Sequence, residues 1–116
     1  MLRLPFLSYF EENTMLLQDE HLEPLSGTTC VIVSKRHRFN TDTLLLADFS
    51  MPKAGERCAE LGTGCGVIPL LWCSRSHPEK IFAWEIQQDA CSMAQRSAAI
   101  NGFDHKIEIQ IGRAHV

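Results

Sequence analysis

The spacing of polar and apolar positions changes character along the chain. Up to about Gly27, Leu16, Leu17, Leu22 and Leu25 are mixed with acids in no regular period, which predicts an irregular lead-in with room for one short helix. Thr29-Cys-Val-Ile-Val-Ser34 is rich in β-branched residues and reads as a strand, alone or in a hairpin. Asn40 and Thr41 are good N-cap residues, and Asp42 stands where the helix dipole favours an acid. With Leu44-Leu-Leu-Ala-Asp-Phe49 behind them, a helix is predicted from Thr41 to Ser50, closed by Pro52 and Gly55.

From Arg57 onward strand-like and helix-like runs alternate. Arg57 to Leu61 and Lys80 to Ile86 read as strands, and Lys106-Ile-Glu-Ile-Gln-Ile111 alternates strictly as a third. Val67 to Cys73 reads as a helix despite Pro69, because a helix starting near Gly66 places that proline in the first turn, where no N–H is needed. Gln88 to Asn101 reads as a helix with Ala90, Met93, Ala94, Ser97 and Ala98 on one face and Gly102 as its stop. Strand, helix, strand, helix, strand is the N-terminal half of a Rossmann-like doubly wound parallel sheet, an α/β fold expected here to be truncated after the third strand.

Composition narrows the functional classes. At 116 residues, 45% hydrophobic and 22% charged, the chain has enough apolar material for one core and too little charge for a disordered segment. A net charge of -3 and a pI near 5.9 give no global attraction for nucleic acid, so such a partner must be met by a local patch. Lys35-Arg-His-Arg38 is one such patch, although a run of this size reads first as a solvated turn. The stretch MLRLPFLSYFEENTMLL is no signal peptide by pattern, since Pro5 interrupts it and Glu11 and Glu12 end it early. No apolar run reaches bilayer length. Five scattered cysteines without a Cys-x-x-Cys pair, and five histidines without ligand spacing, argue for a reduced, cytoplasmic setting with no metal and no membrane.

The chemistry concentrates in CAELGTGCGVIP, residues 58–69. In a doubly wound sheet the ligand lies at the carboxyl ends of the strands, against the first strand-to-helix turn. Gly62 permits the sharp turn, Gly64 lets a ligand approach the backbone, and Gly66 permits close packing at the helix start. Dinucleotide loops read G-x-G-x-x-G and seat a pyrophosphate on the helix N-terminus. This loop reads E-x-G-x-G-x-G, and Glu60 would repel a pyrophosphate while suiting the ammonium and sulfonium of S-adenosylmethionine. About twenty residues further on, where a ribose-binding acid belongs, stands Glu85, whose carboxylate can accept both hydroxyls of a 2′,3′-diol.

Through ELGTGCG at 60–66 and the acid of AWEIQ at 83–87 the chain resembles class I S-adenosylmethionine-dependent methyltransferases. More narrowly, RFNTDTLLLADF at 38–49, LGTGCGVIPLL at 61–71 and EIQQDACSMAQRSAAING at 85–102 resemble the tRNA adenine-N6 methyltransferases that modify tRNA(Val). The resemblance spans about residues 20–111 and implies methyl transfer to the exocyclic amine of an adenine, with tRNA as partner. It also implies that Thr41 and Asp42 lie near the methionine end of the cofactor, a role that competes with helix capping. The cofactor-binding set is then Glu60, Gly62, Thr63, Gly64, Gly66, Glu85 and Ile86, with Thr41 and Asp42 beside it.

The family pattern also carries an Asn-Pro-Pro-Tyr motif after the fourth strand, whose acceptors hold the amine N–H groups while an aromatic stacks the flipped base. The sequence contains no such motif, and Gly112, Arg113 and Ala114 follow the third strand where the pattern has an acid for the cofactor's adenine. No catalytic residue is therefore expected in this chain. Ile111-Gly-Arg-Ala-His-Val116 looks like a translated DNA-sequencing adapter, so the expected organisation is a lead-in over 1–39, a partial cofactor-binding domain over 40–111, and a non-native tail at 112–116. With later strands absent, one face and edge of the sheet should be bare and the isolated chain marginally stable. Two other readings stay open: a methyltransferase acting on protein glutamine or a small molecule, and a non-catalytic nucleotide-binding fragment.

Overall fold

The computed structural model describes residues 16–112. Residues 1–15, weighed above as a leader, and 113–116 of the suspected tail lie outside them. The described chain folds into an antiparallel hairpin, β1 (His21–Ser26) and β2 (Thr29–Val33), and a parallel sheet in the order β3 (Arg57–Leu61), β4 (Lys80–Glu85), β5 (Ile107–Ile111). Three helices connect them: α1 (Thr41–Phe49), α2 (Val67–Arg75) and α3 (Gln88–Ile100).

The alternating strand and helix order from Arg57 is as the periodicity predicts, with ends differing by a residue or two. Cys58 pairs with Ile81 and Ile81 with Ile107, so the three strands run in parallel register. Ile81, Ala83 and Glu85 of β4 are buried, whereas Phe82 and Trp84 turn to the other face and are half-buried. On that face Leu61 is 68% exposed. Pro69 is the third residue of α2, inside the first turn, where a missing donor costs no ladder bond.

Of the alternatives for the lead-in, the structure shows the hairpin. Where it is described, Leu22 and Leu25 lie on a strand, not in a short helix. Leu22 is buried opposite Ile32, so the segment is ordered by pairing with β2, a long-range gain that its own irregular spacing does not encode. Pro24 is tolerated because β1 is an edge strand, and the register slips between Pro24 and Ser26.

All five residues of β2 are buried, and its free edge is closed by helix side chains. The Cys30 N–H donates to Asn101 Oδ1 at 3.0 Å, Asn101 Nδ2 donates back to the Cys30 carbonyl at 2.6 Å, and the Ile32 N–H donates to Ser97 Oγ at 2.9 Å. Two residues at the C-terminal end of α3 thus stand in for a neighbouring strand. Just before the hairpin, Arg96 grips Glu20 with both guanidinium nitrogens at 2.7 Å, and this contact holds the Glu20 carboxyl below its usual range. Helix α1 is joined to α2 by the Trp72 indole N–H, which donates to the Ala47 carbonyl at 3.2 Å in a buried contact. Hairpin, helices and sheet share one core, from Leu22 and Ile32 through Leu70 and Leu71 to Ile81 and Ile107.

Candidate cofactor site

Strand β3 runs into a loop in which Gly62, Gly64 and Gly66 all have positive φ, at 72°, 60° and 93°. The loop is held down by the Gly62 and Thr63 N–H groups, which donate to the Trp84 carbonyl at 2.9 and 3.0 Å. Gly66 is the N-cap of α2, and a Cβ there would meet Ala94 Cβ at 3.0 Å and Ala94 Cα at 3.3 Å, so glycine lets α2 start against α3. Gly64 is the opposite case, since a Cβ there would meet nothing within 4 Å and its outer side is open space.

Glu85, at the end of β4, is 7% exposed and lies beneath this loop. Its Oε1 accepts from the Gly64 N–H and its Oε2 from the Gln87 N–H, both at 2.9 Å. One carboxylate therefore ties the glycine loop to the start of α3, and each oxygen keeps lone-pair capacity for a further donor.

A cavity of about 400 Å³ opens at the carboxyl end of β3, lined by Asp42, Glu60, Gly62, Thr63 and Gly64 of the expected set. Glu60 Oε1 and Thr63 Oγ1 are buried there without a hydrogen-bond partner. Burial pushes the Glu60 carboxyl up to about 7, the Thr63 hydroxyl pulls it back in part, and the Glu85 carboxylate raises it again. Thr63 is close enough to act electrostatically, yet the two complete no hydrogen bond, so burial prevails. An unpartnered buried carboxylate beside an open glycine loop suits a ligand that brings a cationic donor.

The remaining expected residues, Glu85 included, lie off the cavity wall. Thr41 is exposed at the first position of α1, whose N-cap is Asn40: the Asn40 side chain accepts from the Thr43 N–H at 3.1 Å in a capping box. Ile86 is 57% exposed just past β4, and Gly66 stands behind the loop rather than in the opening.

Other lining residues, Arg38, Phe39, Thr43, Leu46, Cys65, Val67 and Ile68, were not placed in the cofactor-binding set from sequence. Helical spacing held a signal for two of them, because Leu46 is one turn beyond Asp42 and Thr43. Arg38 belongs to the basic run read as a solvated turn. That run divides: Arg36 reaches Asp89 at 3.2 Å, while Arg38 lines the cavity.

Among the described residues no three His, Cys, Asp or Glu side chains group as a metal site, and no helix is long and apolar enough to cross a membrane. The five cysteines are unpaired.

No family model matches the chain. Over 72 residues, 62% of its length, it is 29% identical to the tRNA1(Val) (adenine(37)-N6)-methyltransferase of Glaesserella parasuis. It is 30% identical over 74 residues to the protein of that name from Erwinia tasmaniensis. The chain spans about a third of these relatives' length, 31% and 30%. Among solved structures it is similar to Trm5b from Pyrococcus abyssi, with a TM-score of 0.66, 16% identity, and coverage of 81% of this chain and 28% of that one. It is also similar to an SAM-dependent methyltransferase from Thiobacillus denitrificans in complex with S-adenosyl-L-homocysteine, with a TM-score of 0.55, 24% identity, and coverage of 66% and 31%. The three parallel strands and their helices are those of the class I methyltransferase fold. The relatives bear the name that RFNTD, the glycine loop and EIQ pointed to.

Proposed function

We propose that residues 40–111 form the S-adenosylmethionine-binding part of a methyltransferase that modifies the N6 position of an adenine in tRNA. The observation that carries the cofactor reading is the pair of acids around the loop: Glu85 fastened under Gly64, and Glu60 on the cavity wall with one buried oxygen that lacks a partner. Glu85 is suited to receive the ribose hydroxyls with its remaining lone pairs. Gly64 lets the ligand lie against the backbone, and Glu60 and Asp42, both on the cavity wall, suit its cationic end. The cofactor, when bound, supplies a methyl group activated on a sulfonium.

The acceptor reading rests on the relatives' names and on the basic run Lys35 to Arg38, of which Arg38 lines the opening. A cytoplasmic setting agrees with five unpaired cysteines.

Binding is the readout that tests the cofactor reading on this chain, whose sequence holds no Asn-Pro-Pro-Tyr run. In titration calorimetry the chain should bind S-adenosylmethionine and not NAD; binding of NAD alone would overturn the reading. The acceptor is tested in a polypeptide of the relatives' length. Labelled methyl should enter tRNA adenine, whereas entry into protein glutamine or a small molecule would reassign the substrate.

A further inference from the structure

Two stretches of chain line the cavity, 38–46 and 60–68. The second is fastened from below, because the Gly64 N–H donates to Glu85 at 2.9 Å. The first is fastened at its far end, where the Trp72 indole N–H reaches the Ala47 carbonyl at 3.2 Å and Arg75 pairs with Asp48. Its near end depends on one carboxylate: Asp89 Oδ2 lies 3.2 Å from Arg36 Nη1 and 3.0 Å from His37 Nε2. Among the described residues, the side chains of 34–46 make polar contact outside their own turn and helix at Asp89 alone. We propose that Asp89 is a positioning residue for the cavity: it holds Arg36 and His37, and thereby sets how far the 38–46 stretch stands from the glycine loop. Ligand affinity follows from that spacing. For the identity of the ligand the proposal rests on the cofactor reading above.

His37 is the stronger half of the grip. Its side chain is 10% exposed, against 74% for Arg36, so water screens its contact with the carboxylate less. A carboxylate oxygen 3.0 Å away requires a proton on Nε2. The angle is not that of a directed hydrogen bond, yet no other partner meets this buried nitrogen. The His37 contact, ahead of the Arg36 charge, holds the Asp89 carboxyl below its usual range.

Asp89 stands where the framework is fixed. It lies in the first turn of α3, just beyond Gln87, whose N–H donates to Glu85 Oε2 at 2.9 Å. Its other oxygen accepts from the Ala90 N–H at 2.9 Å, which orients the carboxylate on the helix. On the opposite side, the Ser34 N–H donates to the His37 carbonyl at 3.0 Å and the His37 N–H donates to Ser34 Oγ at 3.2 Å, closing the turn that carries both partners. The Asn40 capping box starts α1 soon after. Little free chain therefore separates the grip from the cavity wall. Loss of the grip frees the N-terminal half of α1, while Phe39 and Leu44 keep their non-directional packing on the core.

Titration calorimetry with S-adenosylhomocysteine and native-state hydrogen exchange, both on the full chain, test the role. Asp89→Ala should weaken binding about threefold to tenfold. It should move the thermal midpoint by less than about 5 °C, because the carboxylate is exposed. Exchange should speed up at Leu44 to Leu46 and stay unchanged over β4. In an Arg36→Met, His37→Leu background, which already lacks both partners, Asp89→Ala should weaken binding by less than about twofold more.

Equal weakening by Asp89→Ala in both backgrounds would overturn the positioning role, as would unchanged affinity or faster exchange spread evenly over the sheet. Each of those outcomes leaves the cofactor reading standing. An unaltered chain that does not bind S-adenosylhomocysteine would overturn the cofactor reading, and exchange would then decide the role of Asp89: faster exchange confined to Leu44 to Leu46 supports it, and an even increase sinks it.

Discussion

Glu60 and Glu85 stand near the ends of neighbouring parallel strands, one turn of loop apart, and their surroundings are opposite. Glu85 has both oxygens engaged by backbone N–H groups of Gly64 and Gln87. Glu60 has a buried oxygen with no partner and a carboxyl pushed up to about 7. The first acid is part of the framework, because it fastens the loop on which a ligand would lie. The second is held in an unfavourable state that a cationic ligand relieves, which is the behaviour of a recognition group.

Substitution should separate the two most sharply. Glu85→Ala leaves the N–H groups of Gly64 and Gln87 without their acceptor and should cost about 2–3 kcal/mol in urea unfolding. Glu60→Met removes a buried, unpaired acid and should leave stability within about 1 kcal/mol of the parent, or raise it. Equal losses in both variants would erase the distinction.

Protonation gives a second, smaller separation. Glu60 holds its proton more tightly folded than unfolded, with values of about 7 against 4.5. Between those pH values the folded state therefore binds more protons, and stability should fall as pH rises through the window, by up to ~1.4 kcal/mol per pH unit. Glu20 and its Arg96 partner act in the opposite sense, adding stability that is present above the ordinary carboxyl range and lost as pH falls below it. The difference between the pH profiles of the parent and Glu60→Met, from thermal melts, isolates the Glu60 contribution.

Ligand affinity should follow the same group. Ionised Glu60 is the form that meets an ammonium, so S-adenosylmethionine should bind more tightly as pH rises toward 7, by up to about tenfold per unit, and level off above it. In Glu60→Gln that slope should disappear, while weaker binding persists through Glu85 and the loop. A slope unchanged in Glu60→Gln would assign the titration elsewhere.

Much of the site was legible from local features. The glycine spacing, the acid before it and the acid about twenty residues later are consequences of one strand-to-helix turn and one neighbouring strand, and such short-range geometry is written in residue type. Pro69 and the Asn40 cap were readable for the same reason: each acts within a single helical turn. Arg38 was not readable as a wall residue, because nothing in Lys35-Arg-His-Arg38 separates the arginine that reaches Asp89 from the one that lines the cavity. Strand β1 was legible only as the unplaced partner of a possible hairpin, because its partner, not its own pattern, orders it.

The amino-acid sequence by itself determined the alternation of strands and helices, the glycine loop, and the presence of two acids near it. Those properties depend on backbone conformation and period, which neighbouring residues control. The tertiary structure alone decided that Asn101 and Ser97 close the edge of β2, that Glu85 is bonded while Glu60 is bare, and that Arg38 shares a cavity with Asp42 and Glu60. Each of these depends on segments distant in sequence meeting at one place, where burial and unpaired donors or acceptors, and not residue type, settle what a side chain does.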